Sequence, residues 1–461
     1  MQGSASAGEF VFEPPATEPG PSVLYDEHVR LTSKSHIAAF AGYLMPLWYS
    51  SIAEEHRAVR ERAGLFDCTH MGVLEVSGAD AAEFLNIVTT NEVPSLKVGR
   101  ARYGYVLDAA GNVLDDIIID RRRENNFMVV VNAANEPKIK FYLHELMEGR
   151  ATVDAEQDGG VGYAHRFPQG RARDPMHDTS RLEAPTNGGH SPPYGLRVAV
   201  WDMRDPNRAR DRRVDIALQG PASMDTLARL TDDAAVVERI SQLKSFAFLE
   251  EQLAGIDCLI CRTGYTGSTV AFELFADPKQ TPRLWDLVLE AGKPLGVVPC
   301  GLGARDSLRI EAGLPLYGHE LDGKFNISPF GAGYGWAVKL DKEFFIGKAA
   351  MQHVAQTYDM EVSRIEMPAT RGVRPIRPDD AILDKRGTCV GWVLSAAKVD
   401  EKQYALAYVD RDAAQEGMKV GAYYLARSQS QVEQGRAQAA DKGQKLTADL
   451  AGTVVSRFAK F

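Results

Sequence analysis

Cysteine is scarce in this chain, with five residues in 461. They are scattered at positions 68, 258, 261, 300 and 389, which argues against a disulfide scaffold and indicates a reducing compartment. We therefore expect a cytoplasmic protein. Cys258 and Cys261 have the spacing of a redox or zinc motif, but neither a second cysteine pair nor a histidine cluster follows. Their apolar surroundings predict a strand, and we expect no metal site.

Long apolar runs and an excess of positive charge are also lacking. No stretch approaches the roughly 18 apolar residues of a membrane-spanning helix. The first ten residues lack the basic and apolar regions of a secretory signal. The net charge of −9 and the pI near 5.7 give no general attraction to nucleic acid. The sequence therefore predicts neither a membrane nor a nucleic acid as partner.

The stretch 111–119 is the most informative part of what is present. Gly111 and Asn112 form a turn signal, and Asp115 and Asp116 follow just before three isoleucines that predict a buried strand. Because strand side chains alternate between two faces, one carboxylate should face the interior, where a charge needs a partner or a ligand. The alternative is a turn-closing aspartate beside a solvated one, and this stretch alone leaves both possibilities open.

Hairpin strands alternate with helices along much of the chain, which predicts an α+β fold. Residues 1–22 are rich in Gly, Ser, Ala and Pro and are expected to form a flexible arm. Residues 23–345 are expected to form the main region, and residues 346–461 a small β-barrel or sandwich of short strands. Periodicity is lost over about 154–213, where ten arginines accumulate. We expect a solvated surface insertion there, or alternatively a docking surface for an acidic partner.

Ten short motifs follow one another along the chain. They are FAGYLMP (40–46), GLFDCTHMG (64–72), GNVLDD (111–116), VVNAAN (130–135), LQGP (218–221), RTGYTG (262–267), FE (272–273), GLGARD (301–306), LYGHE (316–320) and GWAVK (335–339). Each motif is weak alone, but ten in register are a specific signal. In this order they resemble the aminomethyltransferase family, the folate-dependent T-protein of glycine cleavage. The resemblance implies a three-domain cloverleaf with a C-terminal small β-barrel, and tetrahydrofolate in a central funnel within residues 23–345.

The resemblance also implies roles for individual residues. Asp116 matches the family's essential aspartate near the reactive N5–N10 edge of the folate, and Asp115 matches a less critical neighbour. Glu273 matches a glutamate that hydrogen-bonds the pterin, since a carboxylate can accept two adjacent N–H groups. His70 lies in a matching element and is interpreted as a structural histidine. The other residues implied to bind or shape the folate site are Tyr103, Asn135, Arg262, Tyr265, Arg305 and Trp336; without the resemblance, core packing would explain Tyr103, Tyr265 and Trp336.

Three departures from the family pattern concern substrate-facing regions. The loop 268–271 reads Ser-Thr-Val-Ala where the family has an acidic pair and a glycine, and one residue is added before Glu273. The arginine-rich segment has no counterpart in ordinary T-proteins, and the run 394–400 differs from the family's Thr/Ser-rich run. These changes alter the regions that would face the one-carbon donor.

Three functions are compatible with this resemblance. The leading one is an aminomethyltransferase that takes an aminomethyl group from a lipoylated carrier protein, releases ammonia and forms methylene-tetrahydrofolate. The second is a tetrahydrofolate-dependent demethylase or methyltransferase whose donor is a small N-, S- or O-methylated compound. The third is a non-catalytic folate-binding protein, although the Cys-containing motif of that branch is absent here.

Overall fold

A five-stranded antiparallel sheet contains the predicted hairpin. The structure is a computed structural model, and it describes residues 9–15, 17–151, 196–207, 211–459 and 461. Gly111 has φ +86°, the left-handed conformation that favours glycine in this turn. Ile117 and Ile119 pack into a core beneath the helices Ala81–Val88 and Glu136–Met147. The strands, in spatial order, are Arg100–Leu107, Val113–Arg123, Asn126–Val131, Gly72–Ser77 and Ala199–Asp202.

A six-stranded sheet forms the second layer of the main region. One face packs on the helices Ser223–Ala228, Ala234–Ser241 and Thr281–Gly292, and the other contacts Ile52–Glu61 and Leu302–Ala312. Its strands, in spatial order, are Phe248–Leu253, Ile256–Cys261, Ala271–Ala276, Val214–Gln219, Ala63–Asp67 and Val297–Cys300. The last pair is parallel, and the other neighbours are antiparallel.

The two sheets meet through one shared apolar layer. Val73 and Met128 come from the five-stranded sheet, and Leu259 and Phe275 come from the six-stranded sheet. Asp120 pairs with Met128 across the hairpin, so its side chain lies on the same face as that layer. Alternate residues of the hairpin strand therefore point toward the second sheet.

A closed six-stranded barrel follows in the C-terminal part, which confirms the predicted β-barrel and the mixed fold. It packs on the hairpin, where Leu107 and Val113 contact a cluster that includes Val362 and Leu406. The barrel strands, in spatial order, are Met360–Pro368, Lys402–Asp410, Cys389–Val399, Ala381–Leu383, Lys419–Tyr423 and Leu450–Val455. The boundaries predicted for the arm, the main region and the barrel region stay predictions.

The remaining elements lie near the chain ends and around the barrel. Within the described ranges, no helix has the length and apolar character needed to cross a bilayer. A small three-stranded sheet is formed by short strands between residues 20 and 46. These elements are the strands Gly20–Pro21, Tyr43–Pro46 and Ile37–Phe40, in that spatial order, and the helices Tyr25–Leu31, Lys348–Thr357 and Gln429–Glu433.

The predicted flexible arm is partly packed, so that prediction is wrong for part of its length. The Phe10 ring lies 4.6 Å from the Tyr142 ring, and the Phe10 N–H donates to the Asp108 carboxylate at 3.1 Å. Gly20–Pro21 pairs with Tyr43–Pro46 in a sheet. A few aromatic residues in a Gly/Pro-rich stretch give no periodic signal, which is why the sequence did not reveal this packing. Residues 1–8 and 16 lie outside the described residues.

The predicted surface insertion also ends in core structure. Ala199–Asp202 is the edge strand of the five-stranded sheet and pairs with Gly72–Ser77, and Val200 is 8% exposed. Four strand residues among many arginines are too few for a recognisable alternation. For this part the interpretation as a solvated insertion is wrong. Residues 152–195 and 208–210 lie outside the described residues, and there the interpretation stays a prediction.

Val200→Asp tests whether this edge strand belongs to the folded core. Burying an unpaired carboxylate at this position should cost roughly 3 kcal/mol or more. We expect thermal melting to shift downward by about 6 °C or more. The matched control is Val98→Asp, because Val98 is 56% exposed. Equal melting temperatures for the two variants would show that the strand contributes no core packing.

Candidate active site

Asp115 and Asp116 are adjacent on the strand Val113–Arg123 and point to opposite faces of it. Asp115 is fully buried, and Asp116 is partly buried. Asp115 accepts hydrogen bonds from the backbone N–H of Asn132 at 2.9 Å, from its Nδ2 at 2.8 Å and from Asn135 Nδ2 at 2.6 Å. Asp116 accepts from the Tyr103 hydroxyl at 3.0 Å and from Asn132 Nδ2 at 2.8 Å. Neither residue is the solvated aspartate of the alternative interpretation.

Asn132 is the residue of this group that the sequence analysis missed. It follows directly after the strand Asn126–Val131, and its single side-chain amide bonds both Asp115 and Asp116. Asn135, which was selected instead, contacts Asp115 alone among the two aspartates in the described hydrogen bonds. An asparagine at the end of a strand beside the hairpin was the available signal. Its role is visible only in the structure, where strand pairing places Asn132 next to the two aspartates.

Three aromatic rings line the Asp116 side of the hairpin. The Tyr103 ring centroid lies 5.4 Å from that of Tyr334 and 5.9 Å from that of Trp336, and Tyr334 and Trp336 are 5.8 Å apart. Trp336 is 54% exposed. An exposed aromatic face next to a carboxyl group offers a stacking surface for a planar ligand. The structure thus groups the predicted site residues Tyr103, Asp116 and Trp336.

Glu273 lies on the facing sheet, opposite Ala217 and Cys261 in the strand register. One of its carboxylate oxygens accepts a hydrogen bond from the Thr263 hydroxyl. The Cys261 thiol donates to Asp120 on the hairpin strand at 3.9 Å, so this contact joins the two sheets. Asp120 and Glu273 therefore lie near each other where the two sheets face, and burial together with the charge of Glu273 raises the pKa of Asp120.

Burial gives the carboxyl groups of this region an unusual affinity for protons. It raises the pKa of Asp116 and of Glu273, and it raises the pKa of Asp120 to about 8, with the negative charge of Glu273 adding to the effect. For Asp115, burial comes first and repulsion by Asp116 second as causes of a raised pKa. Carboxyl groups of this kind exchange protons nearer to neutral pH than solvated ones do.

Arg305 supplies positive charge on the Glu273 side of the site. It lowers the pKa of Glu273 and so opposes the effect of burial there. Its guanidinium lies 3.3 Å from His70 Nε2 and 5.3 Å from the centroid of the Tyr265 ring. The Tyr265 hydroxyl donates to the Pro315 carbonyl at 2.5 Å, which fixes the ring. Glu273, Arg305 and Tyr265 thus form the second group of predicted site residues.

Arg262 contacts the loop that departs from the family pattern. Its Nη2 donates to the Thr269 carbonyl at 2.9 Å, and its guanidinium lies 4.7 Å from the Phe272 ring centroid. The same loop pairs with Phe461, which accepts from the Thr269 N–H at 2.7 Å and donates to the Gly267 carbonyl at 3.0 Å. The described contacts of Arg262 therefore shape the loop, and its folate-binding role stays a prediction.

Arg204 is a second residue that the sequence analysis missed. It belongs to the segment predicted as an insertion, yet its Nη1 donates to the Tyr43 hydroxyl at 2.9 Å and to the His70 carbonyl at 3.2 Å. It also forms an ion pair with Glu136 on the neighbouring helix. One arginine among ten offered no signal that set it apart. The residue fixes the backbone next to Arg305.

His70 is buried completely, and its environment disfavours its charged form. Burial and the nearby positive charge of Arg305 lower its pKa to about 3. The neutral ring accepts a hydrogen bond from Arg305 through Nε2, at 3.3 Å. These contacts favour the structural interpretation of His70 over a role in proton transfer.

In the described ranges, no group of three or more His, Cys, Asp or Glu side chains is arranged to hold an ion. Cys258 packs in the core beneath the helices, whereas Cys261 packs in the layer between the two sheets. The two thiols therefore lie on opposite faces of their strand, as a three-residue spacing on a strand dictates.

The arrangement around Asp116 and Glu273 is suited to hold a planar ligand with N–H groups and to move protons on it.

Comparisons with known proteins identify the family. The sequence profile of the GCVT N-terminal domain matches residues 24–159 and 202–342. An aminomethyltransferase of Streptomyces avermitilis is 37% identical over 374 residues, or 80% of this chain and 84% of that protein. An aminomethyltransferase of Halalkalibacterium halodurans is 37% identical over 337 residues, or 73% of this chain and 75% of that protein. Both similarities extend well beyond one motif.

A solved structure gives the same result at the level of the whole fold. The glycine cleavage system aminomethyltransferase T from Bartonella henselae is similar, with a TM-score of 0.69 and 28% sequence identity, over 96% of this chain and 99% of that one. The fold and the site thus define a transferase. The chain belongs to the GCVT, or aminomethyltransferase, family.

A pH-dependent stability follows from the low pKa of His70. The unfolded state binds a proton below about pH 6.5, while the buried ring stays neutral down to about pH 3. The contribution of His70 is therefore complete above pH 6.5 and is lost as the pH falls. Between about pH 7.5 and pH 5, the wild type should lose about 2 kcal/mol of folding stability through His70. His70→Gln keeps an acceptor for Arg305 and should not show this loss.

Thermal melting across this pH range measures the effect. The control is His319→Gln, because His319 is exposed. We expect a flatter pH dependence for His70→Gln than for the wild type and the control. Parallel curves for all three proteins would contradict a neutral buried His70.

Proposed function

We propose that this transferase moves an aminomethyl group from a lipoylated carrier protein to tetrahydrofolate, with release of ammonia and formation of methylene-tetrahydrofolate. The observation that carries the proposal is the hydrogen-bonded group of Asp116, Tyr103 and Asn132 beside the exposed ring of Trp336. Membership in the aminomethyltransferase family supports the donor and the acceptor. The cytoplasm as the site of action and a lipoylated carrier as partner belong to the same proposal.

The residues present fit tetrahydrofolate as the acceptor. A pterin is planar and presents several N–H groups at one edge, so it needs aromatic faces and carboxylate acceptors. Tyr103 and Trp336 offer faces on the hairpin side, and the partly buried Glu273 offers a carboxylate on the facing sheet. Bound tetrahydrofolate supplies the nitrogen nucleophiles that accept the one-carbon unit. We propose that Asn135, Arg262, Tyr265 and Arg305 shape this site.

Asp116 handles protons on the reacting nitrogens in this proposal. The acceptor nitrogen must lose a proton as its new bond to carbon forms, and the departing nitrogen must gain one. A carboxyl group with a raised pKa, held by Tyr103 and Asn132, can do both and can stabilise positive charge that develops nearby. Tyr103 and Asn132 fix the direction in which the carboxyl group points.

A donor comparison tests the proposed function directly. The purified protein is incubated with tetrahydrofolate and either an aminomethyl-loaded lipoyl carrier or a panel of methylated amines, sulfonium compounds and methoxy-aromatics. The proposal requires methylene-tetrahydrofolate and ammonia that depend strictly on the carrier. Methyl-tetrahydrofolate formed from a free methylated compound would instead support the demethylase. Folate binding without turnover of any donor would favour the non-catalytic alternative.

Asp116→Asn tests the catalytic assignment. The amide keeps the size of the side chain but cannot exchange the proton, so turnover should fall by at least about tenfold while tetrahydrofolate still binds. Steady-state rates and a folate titration give the two readouts. Asp286→Asn is the control, since Asp286 lies on the surface in an exposed ion pair with Arg30. Near-normal turnover of Asp116→Asn would refute its catalytic role.

Glu273→Gln tests the pterin contact. The substitution removes an acceptor and places a donor against a donor, a mismatch that costs roughly 1–3 kcal/mol, or about 5- to 150-fold in affinity. The dissociation constant of tetrahydrofolate should rise by this factor. Glu251→Gln serves as the control, because Glu251 pairs with Arg239 at the surface. Unchanged folate affinity in Glu273→Gln would rule out a direct contact with the pterin.

A further inference from the structure

Asp115 and Asp116 share one side-chain amide. Asn132 Nδ2 lies 2.8 Å from an oxygen of each carboxyl group, so the two groups are close although they leave opposite faces of the strand. Burial raises the pKa of both carboxyl groups. Two ionised carboxylates at this separation in a buried site repel each other strongly. One member of the pair therefore keeps a proton near neutral pH, and the surrounding donors decide which one.

The hydrogen bonds of Asp115 favour a carboxylate. All three donors are N–H groups, two from Asn132 and one from Asn135, and an N–H group cannot accept a proton in return. The positively charged Lys138 also interacts with Asp115. A carboxyl group that receives several N–H bonds and faces a cation is stabilised in its ionised form.

The hydrogen bonds of Asp116 allow a carboxylic acid. One partner is the hydroxyl of Tyr103, at 3.0 Å, and a hydroxyl both donates and accepts. This hydroxyl also lies 3.3 Å from the Tyr105 hydroxyl. If Tyr103 donates its proton to Tyr105, its oxygen is available to accept a proton from Asp116. The pair is thus asymmetric: the site of Asp116 tolerates a proton, whereas that of Asp115 offers donors only.

We propose that Asp115 is the ionised member of the pair and that its negative charge keeps a proton on Asp116 at neutral pH in the free enzyme. Asp115 is then a positioning residue, since it acts on the reaction through Asp116 and not by contact with the substrate. The proposal rests on the proposed function and deepens it, because it assigns the protonation state of Asp116 when the one-carbon donor binds.

The proton balance of the reaction follows from this assignment. Asp116 in its acid form gives its proton to the nitrogen that leaves as ammonia while the bond between that nitrogen and the one-carbon unit breaks. The resulting carboxylate takes a proton from the acceptor nitrogen that forms the new carbon–nitrogen bond. The bond between the one-carbon unit and the lipoyl sulfur breaks as a second acceptor nitrogen bonds to the same carbon. The N–H proton of this second nitrogen ends on the lipoyl sulfur, which leaves as a thiol. Asp116 therefore returns to its starting form after each turnover.

The other ionisable groups that face the pair do not take over the role of either aspartate in holding the charge or the proton. The facing tyrosines all have a raised pKa, chiefly because of burial, and stay uncharged at neutral pH. Burial lowers the pKa of Lys138, and the charges of Asp115 and Asp322 oppose that effect. The groups that face the pair are Tyr103, Tyr105, Tyr265, Tyr317, Tyr334, Lys138 and, beyond Lys138, Asp322.

Asp115→Asn separates the two possible proton positions in the pH–rate profile. If Asp115 is charged in the wild type, its neutralisation removes the repulsion on Asp116 and lowers the pKa of Asp116. The limb of the pH–rate profile that reports this pKa then moves to lower pH by at least about one unit. If Asp115 already carries the proton, an amide replaces a neutral acid and the limb does not move, which would overturn the proposal. Asp108→Asn is the control, because Asp108 is equally buried near the same hairpin turn and bonds Asn112 and Phe10.

A second measurement needs neither a bound ligand nor turnover. It tests the proposal even if Asp115→Asn does not fold or the proposed reaction is wrong. The chain is labelled with carbon-13 at the aspartate carboxyl carbons, and Asp115 is followed by NMR in Asp116→Asn. We expect Asp115 to titrate well below neutral pH, because its three N–H donors oppose the rise in pKa that burial causes and the charge of Asp116 is absent from this variant. Titration of Asp115 near neutral pH would overturn the proposal. This readout needs no turnover, so a failure of the proposed function alone leaves it intact.

Discussion

Burial of carboxyl groups between two β-sheets is the constraint on which the rest of the site depends. Asp116 and Asp120 come from the hairpin strand, and Glu273 comes from the facing sheet. A carboxylate removed from water persists only with donors or cations nearby. Asn132 and Thr263 are such donors. The apolar layer between the sheets maintains the low dielectric environment that makes each of these contacts strong.

Much of the fold could be predicted from the sequence because its signals are local. The hairpin at Gly111 and the isoleucine run after Asp116 identify their own strands, and the structure has them within a few residues of the expected positions. The short strands near the end of the chain likewise predicted a barrel. Turn chemistry and alternation involve neighbouring residues only, so one sequence is enough to read them.

The site could be predicted only in part, because its remaining members depend on long-range contacts. Asn132 lies 16 residues from Asp116 and matters only through strand pairing. Arg204 gains its meaning from contacts with Tyr43 and His70, far away in the chain. The family resemblance selected Asp116 and Glu273 through short motifs, whereas the residues that hold them are spread over several elements. A local sequence pattern carries no information about such long-range contacts.

The edge strand Ala199–Asp202 has a consequence for how this family can diverge. Ala151 and Leu196 both pack in the core of the five-stranded sheet, and Val200 pairs opposite Val76 on the edge strand of that sheet. Residues 152–195 join these two points. Each doubling of a connecting segment adds only about 0.6 kcal/mol of closure entropy. Insertions and deletions between the two anchors are therefore nearly neutral for the core, which makes this position a natural place for homologues to differ in length.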